Sequence, residues 1–417
     1  MPDTASPDVI VIGGGPSGST CSTILRQHGL SVDLFERETF PRFHIGESLI
    51  PMTYHVLKRT GMLEKMKTSH FVKKYSVQFI NQRGKLSEPF YFIDHKPHES
   101  SQTWQVRRSE FDHLNLKNAA EHGVRVHENA RVIEVLFEGD RADGVRVKVG
   151  DEPEKVVRAK VVVDASGQST MLQDRLDLRE WDPLLKKAAV WTYWKGAYRD
   201  TGRDEGATQV VQTEGKKGWF WYIPLHDDVV SVGVVADYEY LFQNRPSKEL
   251  EAIYFEEVAR APGLQPRLKD ATRCDVFRAQ KEYTYRAQKV AGDGWCLVGD
   301  AFGFLDPLYS SGVLLALTSG SMAADTIAEG IKKGDTSETQ LRKWEPEFTA
   351  GMERMRRLVC EFYDGLSFGR FVRKHPDLKD CVTDVLIGDV FKDEVDVLWP
   401  LIDEMKAEHQ AATGVKA

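Results

Sequence analysis

The apolar positions of this chain change period as it advances. Val9-Ile10-Val11-Ile12 is an unbroken apolar run of the kind that makes a strand buried on both faces. It runs into a glycine-rich turn and then a helical pattern through Gln27, which Gly29 is placed to end. A second strand follows from Ser31 to Phe35 and finishes on Glu36. In the middle of the chain the period drops to two, and strands are predicted over 188–198, 208–213, 218–225 and 229–236, separated by turns rich in Gly, Asp and Lys. From Trp344 onward Phe348, Met352, Met355, Val359 and Phe362 recur at threes and fours, which predicts an amphipathic helix. The last residues, Glu408 to Ala417, are expected to fray.

The densest stretch is Gly218-Trp219-Phe220-Trp221-Tyr222-Ile223-Pro224. Alternation puts Trp219 and Trp221 on one face of a strand and Phe220 and Tyr222 on the other. Alone, it reads equally well as a heavy core strand, since aromatic residues suit pleated surfaces. Trp191, Tyr193 and Trp194 add to the aromatic density nearby, which suits a pocket or simply a core.

Composition narrows the class. A net charge of -7 argues against general nucleic-acid binding. The chain lacks an apolar run of the ~18 residues a membrane span needs, and its first residues do not resemble a signal peptide. Five scattered cysteines without a CxxC pair read as reduced thiols and neither a disulfide framework nor a metal site. The expectation is a cytoplasmic α/β protein with no membrane and no nucleic-acid partner.

The first strand, Gly13-x-Gly15-x-x-Gly18 and the helix after it form a dinucleotide-binding unit. The glycines, Gly14 among them, let backbone N–H groups approach a pyrophosphate, the helix N-terminus around Ser17 favours the anion, and Glu36 can accept from ribose hydroxyls. Two further strand ends, Val161 to Asp164 with Ala-Ser-Gly167-Gln-Ser169, and Trp295 to Gly299-Asp300, complete a pattern that resembles the FAD monooxygenases of the p-hydroxybenzoate hydroxylase fold. The resemblance implies an α/β (α+β) architecture: a discontinuous Rossmann-like FAD-binding domain over 1–75, 105–185 and 285–335, an antiparallel-sheet substrate domain over 76–104 and 186–284, and C-terminal helices over 336–417.

Within that fold, Trp219-x-Trp221-x-Ile223-Pro224, Phe304-x-x-Pro307-x-x-Ser310-x-Gly312 and Pro41-Arg42-Phe43-His44-Ile45-Gly46-Glu47-Ser48 resemble the signatures of flavin-dependent halogenases. The resemblance implies that reduced FAD, delivered by a separate flavin reductase, forms a hydroperoxide with O2. That species oxidises chloride or bromide to hypohalous acid, and Trp219 and Trp221 block direct hydroxylation of the substrate. It also implies a halide site at the Ser311 and Gly312 N–H groups beside Ser310, and FAD contacts from Glu47, Arg108, Asp300 and Val313. Arg108 could equally be a helix-surface residue pairing with Asp112. The family uses one lysine to steer the hypohalous acid. Its spacing from Phe79 selects Lys74 over Lys73, although strand alternation cannot say which faces inward.

One departure bears on substrate. Halogenases of free tryptophan carry a glutamate where this chain has Tyr309, so the resemblance points to the branch acting on phenols or pyrroles, free or tethered to an acyl or peptidyl carrier protein. Arg354, Arg356, Arg357, Arg370, Arg373 and Lys374 are either a solvated helix face or a dock for such an acidic carrier. The competing readings are an aromatic hydroxylase or geranylgeranyl-reductase-like enzyme of the same fold, and a flavin-binding protein without chemistry.

Overall fold

The computed structural model describes residues 6–243 and 245–413. Val9–Ile12 is the middle of a six-stranded sheet, flanked in parallel register by Val161–Asp164 and Val32–Phe35. Trp295–Leu297 and Arg125–His127 extend it in parallel on the two sides, and the short Ala291–Gly292 closes one edge antiparallel. All four residues of each of the three central strands are buried, as the unbroken apolar run of Val9–Ile12 requires, with Asp33 and Asp164 the polar residues of the other two. The carboxyl ends of these strands gather at one edge, tied by Gly13 N–H to Phe35 O (2.8 Å) and Ala165 N–H to Ile12 O (2.9 Å). That edge is where open parallel sheets bind ligands. Helix Pro16–Gln27 leaves from it, and helix Gly312–Lys333 packs so closely alongside that a Cβ on Gly320 would stand 2.5 Å from Ser17 O.

The second large sheet has nine strands, with Arg179–Lys195, Val229–Asp237, Gly218–Pro224 and Thr208–Gln212 paired antiparallel in that order. It departs from expectation in two places. Thr208–Gln212 pairs in parallel with Ser76–Ile80, so the sheet is mixed rather than wholly antiparallel. Its longest strand begins at Arg179, nine residues before the predicted start, because an irregularity between Trp181 and Lys186 breaks the alternation that marks a strand in sequence. A three-stranded meander, Ala130–Glu138, Arg141–Val149 and Lys155–Arg158, was not anticipated either.

Alternation divides the large sheet into two cores. Trp191, Tyr193, Trp219 and Trp221 join the main core, whereas Phe220, Tyr222 and Trp194 face a second core closed by Ile253 and Tyr254 of helix Leu250–Ala259. Trp194 therefore sits on the opposite face from Trp191, with its indole N–H donated to Tyr254 OH at 3.0 Å. The neighbour of both Trp191 and Trp221 across the strands is Gly233.

The C-terminal region is helical: Glu345–Tyr363, Phe368–Lys374, Lys379–Ile387 and Leu398–Thr413. Residues 408–413, expected to fray, extend the last helix, and 414–417 lie outside the described residues. The arginines of the first of these helices are not a solvated face. Arg354 is buried and bonded to Asp393 (2.7 Å), Asp396 (2.6 Å) and Val390 O (2.9 Å), Arg356 pairs with Asp182, and Arg357 pairs with Asp403 at 2.7 Å. Lys374 pairs with Glu408 at 2.5 Å. Arg370 and Arg373 are exposed and, among the described residues, in no ion pair. The five cysteines are unbridged, and no described helix is long and apolar enough to cross a membrane.

A Cβ added at Gly233 would stand 2.3 Å from the Trp221 ring and 2.5 Å from Trp191 Cβ. Overpacking of this kind costs about 1–3 kcal/mol, so Gly233→Ala should lower the denaturation midpoint by that equivalent in a urea titration, whereas Gly334→Ala, where no atom lies within 4 Å but φ is +71°, should show only the backbone penalty.

Candidate functional site

A cavity of ≈ 1080 Å³ opens at the carboxyl edge of the parallel sheet and runs to the inner face of the large sheet. Its volume suits an extended cofactor and a small substrate together. At the nucleotide end the backbone turns at Gly13 (φ +105°), and a Cβ on Gly18 would fall 2.0 Å from Gly13 O, so neither position tolerates a side chain. Gly13, Gly15 and Ser17 border the cavity; Gly14 and Gly18 stand behind them. The Gly14 N–H is spent on Glu36 Oε2 (2.8 Å), and Glu38 N–H bonds Glu36 Oε1 at 2.9 Å. Glu36 borders the cavity with its orientation set by these two donors. Each of its oxygens keeps a lone pair for a ribose hydroxyl.

Further in, Asp300 and Arg108 face the same space. Burial pushes the Asp300 carboxyl up to about 6 against the pull of Arg108. Arg108 is only 6% exposed, donates to Asp112 at 2.8 and 3.0 Å and to Ile45 O at 2.7 Å. Arg108 does pair with Asp112, but from inside the cavity wall and not from a helix surface. Burial would raise the Asp112 carboxyl, yet Arg108 and Arg42 hold it below its ordinary value.

The loop between strand Val32–Phe35 and helix Thr53–Arg59 supplies Glu47. Burial lifts its carboxyl to about 7, although Tyr193 OH donates to Oε1 at 2.9 Å. Among the described residues Oε2 has no hydrogen-bond partner, and neither has the indole N–H of Trp191 in the same wall. Buried polar atoms left open are costly unless a ligand completes them. With the glycine turn and the open helix end described below, they fit an extended, polar cofactor such as FAD.

Trp219 and Trp221 also line the cavity. Trp221 donates to Ser231 Oγ (3.1 Å), and its ring lies 6.1 Å from that of Trp191. Trp219 donates to Tyr363 OH (2.9 Å), which donates to Asp306 Oδ2 (2.9 Å). Tyr363 belongs to helix Glu345–Tyr363, so a residue with no motif signal fixes the orientation of the signature tryptophan.

Helix Gly312–Lys333 points its N-terminus into the cavity, where Ser310, Gly312 and Val313 line the wall. Ser310 takes the left-handed conformation (φ 57°) that turns the chain into the helix. Nothing lies within 4 Å of the Cβ position on Gly312, so that face is open, and the Ser311 hydroxyl is buried without a partner. The first-turn amides have no acceptor within the helix, which makes this end an anion site. Tyr309 packs its ring against Phe362, 6.4 Å between centroids.

Lys74 ends the short strand Val72–Lys74, which pairs with Thr103–Gln105 rather than joining the large sheet. That pairing buries Lys74 (2% exposed) and leaves Lys73 exposed. The ammonium donates to Ser48 Oγ (2.9 Å) and Leu49 O (3.0 Å) and, among the described residues, has no carboxylate partner. Burial alone pulls its amine down to about 7. Lys74 does not itself border the cavity; Ser48 and Thr208 do. Sequence reasoning missed both hydroxyls, and the only signal for Ser48 was its place directly after Glu47. A His70–Glu110–His226 cluster lies outside the cavity, each imidazole Nε2 hydrogen-bonded to Glu110 at 2.8 and 3.0 Å.

Comparisons agree with this geometry. Residues 92–367 match the family model described as Tryptophan halogenase, and residues 8–173 match that of FAD dependent oxidoreductase. A 1H-pyrrole-2-carbonyl-(peptidyl-carrier protein) brominase of Pseudoalteromonas luteoviolacea (strain 2ta16) is 33% identical over 395 residues, 94% of each chain. Flavin-dependent halogenase armH1 of Armillaria mellea is 36% identical over 353 residues, 81% of this chain and 67% of the relative. The solved structure of the flavin-dependent brominase Bmp2 superposes with a TM-score of 0.84 at 31% identity, covering 96% of this chain and 99% of that one.

The Lys74 amine makes a stability prediction. Between about 7 and its ordinary value of 10.5 the unfolded chain holds a proton that the folded chain does not, so stability rises with pH across that window. Below about 7 the folded state carries a buried charge and the penalty is complete. Lys74→Met should therefore be most stabilised relative to wild type near pH 6, with the gap narrowing toward pH 10 in chemical denaturation; a pH-independent gap would contradict the shift.

Proposed function

This chain belongs to the flavin-dependent halogenases, and from that premise we propose which of its residues do what and on which substrate. Reduced FAD, when bound, would activate O2, the oxidant that converts chloride or bromide to hypohalous acid. The Gly13–Gly18 turn, Ser17, Glu36, Arg108 and Asp300 hold the cofactor along the cavity, with Glu47 and Val313 at its inner end. The Ser311 and Gly312 amides bind the halide at the helix N-terminus, beside Ser310. Trp219 and Trp221 keep the substrate ring away from the flavin, so that oxygen cannot pass to it directly. Lys74 receives the hypohalous acid and delivers the halogen to an electron-rich ring. The observation that carries this reading is the Lys74 amine, buried without a counter-ion and joined to the cavity through Ser48. A buried lysine with a lowered pKa is the usual form of an activated amine.

The substrate is a phenol or pyrrole. Tyr309 stands where a glutamate would serve free tryptophan, and a relative matching 94% of the chain is named for a pyrrole on a peptidyl carrier protein. We infer a carrier-tethered pyrrole as the substrate and a separate reductase as the source of reduced flavin. Of the six basic residues first considered, Arg370 and Arg373 remain available to an acidic carrier, and they bear the docking role.

With reduced FAD and bromide, wild type should add the mass of bromine to its substrate, and Lys74→Ala should lower that product by at least about 100-fold, the scale of a lost acid–base group. An oxygen mass shift independent of halide would instead identify an aromatic hydroxylase. For docking, the double charge reversal Arg370→Glu, Arg373→Glu should raise KM about tenfold or more for a carrier-tethered pyrrole and leave a free phenol's KM within twofold, in line with several charges steering one encounter. Equal effects on the two substrates would remove the docking assignment.

A further inference from the structure

Lys74 stands directly behind the cavity wall, and Ser48, to which its Nζ donates, is part of that wall. Its Nζ donates to Ser48 Oγ and to Leu49 O, so in the neutral amine both N–H bonds are committed and the lone pair is the one free tetrahedral position. Ser48 Oγ lies 2.8 Å from Thr208 Oγ1, and both residues border the cavity while their side chains are almost fully buried. Gln105 Nε2 donates to Thr208 Oγ1 (2.8 Å) and to Gly206 O (2.9 Å). The carbonyl of Gly206 can only accept, which fixes the orientation of the Gln105 amide and makes Thr208 Oγ1 an acceptor from it.

Proton counting then decides what the pair can do. Ser48 and Thr208 carry two hydroxyl protons and share one hydrogen bond. Whichever of them donates to the other, one O–H is left over, and it belongs to a group in the cavity wall. A lysine N–H therefore leads into a hydroxyl pair that ends in a donor at the cavity.

We propose that Ser48 and Thr208 form the proton relay through which Lys74 takes halogen from hypohalous acid; this rests on the assignment of Lys74 above. The lone pair on Nζ bonds to the halogen of H–O–X, and the X–O bond breaks with its electrons going to oxygen. The N–H proton directed at Ser48 passes to Ser48 Oγ, and the free hydroxyl proton of the pair passes to the departing oxygen. The products are water and an N-halo lysine, and the halogen keeps its oxidation level throughout. Displacement at a halogen needs N, X and O near a straight line. Direct transfer of the N–H proton to that oxygen would have to close a four-membered ring, which bends this line. The relay carries the proton around it. Ser48 and Thr208 are positioning and proton-transfer residues, and the neutral chain Lys74–Ser48–Thr208–Gln105 accounts for why no carboxylate stands beside this lysine.

The test uses FAD-loaded enzyme supplied with reduced flavin and bromide, an accepted aromatic substrate, and taurine in solution to trap hypobromous acid that escapes. Ser48→Ala, Thr208→Val and Lys74→Ala are compared with wild type. The expected result is a loss of brominated product of about 100-fold or more in Ser48→Ala, whose hydroxyl takes the lysine proton whichever way the pair is oriented, with bromotaurine rising to take its place; an equal loss in Thr208→Val assigns the outer O–H to Thr208, and a smaller one assigns it to Ser48. In addition, the pH midpoint of product formation, near 7 for wild type, should fall in Ser48→Ala, because its ammonium loses an acceptor, and stay in place in Thr208→Val. A role confined to packing would leave that midpoint unmoved in both. Product within twofold of wild type in Ser48→Ala and Thr208→Val, with Lys74→Ala inactive, overturns the relay and leaves the Lys74 assignment standing. Full product from Lys74→Ala overturns both. Loss of bromotaurine along with product in Ser48→Ala and Thr208→Val places the pair before hypobromous acid forms and also overturns the relay.

Discussion

The alternation of side chains along the inner strands of the large sheet is the constraint on which this molecule depends. Strand Gly218–Pro224 is fully buried, so each residue must serve one of two cores, and a shift of one register would exchange them. Trp219 and Trp221 are thereby committed to the cavity, while Phe220 and Tyr222 hold the other face to helix Leu250–Ala259. Strand Arg179–Lys195, one strand removed, repeats the division, with Trp191 lining the cavity, Tyr193 in the same core and Trp194 turned away. A wall of large rings is rigid because these side chains bury their area with few rotatable bonds, and the indole N–H groups of Trp219 and Trp221 are each tied to a neighbouring hydroxyl.

Against that apolar wall the polar parts of the site are set by desolvation. Glu47, Asp300 and Asp306 have carboxyls lifted by burial, and Lys74 has an amine lowered by it. The two kinds of group shift in opposite directions for the same reason, the cost of a charge away from water. Around neutrality these groups are poised between charge states, whereas Arg108 keeps its charge by holding Asp112. Charge is thus retained at the Arg108–Asp112 pair and reduced at Lys74 and at the buried carboxyls.

Much of this was legible in the sequence because it rests on local pattern. The glycine turn, the double-tryptophan strand and the helix from Gly312 each carry their signal within a dozen residues. What was not legible depends on partners far along the chain. Lys74 and Lys73 are equivalent to any periodicity argument, and the choice is made by pairing with Thr103–Gln105. Arg354 reads as an outward helix residue until Asp393 and Asp396 fold back onto it. The strand from Arg179 was concealed by its irregularity. Ser48 stood in view only as the residue after Glu47, and Thr208 carries no pattern, since threonine occurs in every kind of segment.

Gly233 shows how closely such a wall is fitted. It lies across from both Trp191 and Trp221, and their rings and stems fill the volume its missing side chain leaves. The three positions therefore share a single allotment of space and are not free to vary one at a time. A lineage that drifts to a larger residue at 233 meets the Trp221 ring and the Trp191 Cβ; shortening the side chain at 221 relieves the first contact, whereas the second remains whatever residue other than glycine stands at 191. Redesign of this cavity for a bulkier ring meets the same rule in reverse: trimming Trp221 opens a void beside which a side chain at 233 is already placed.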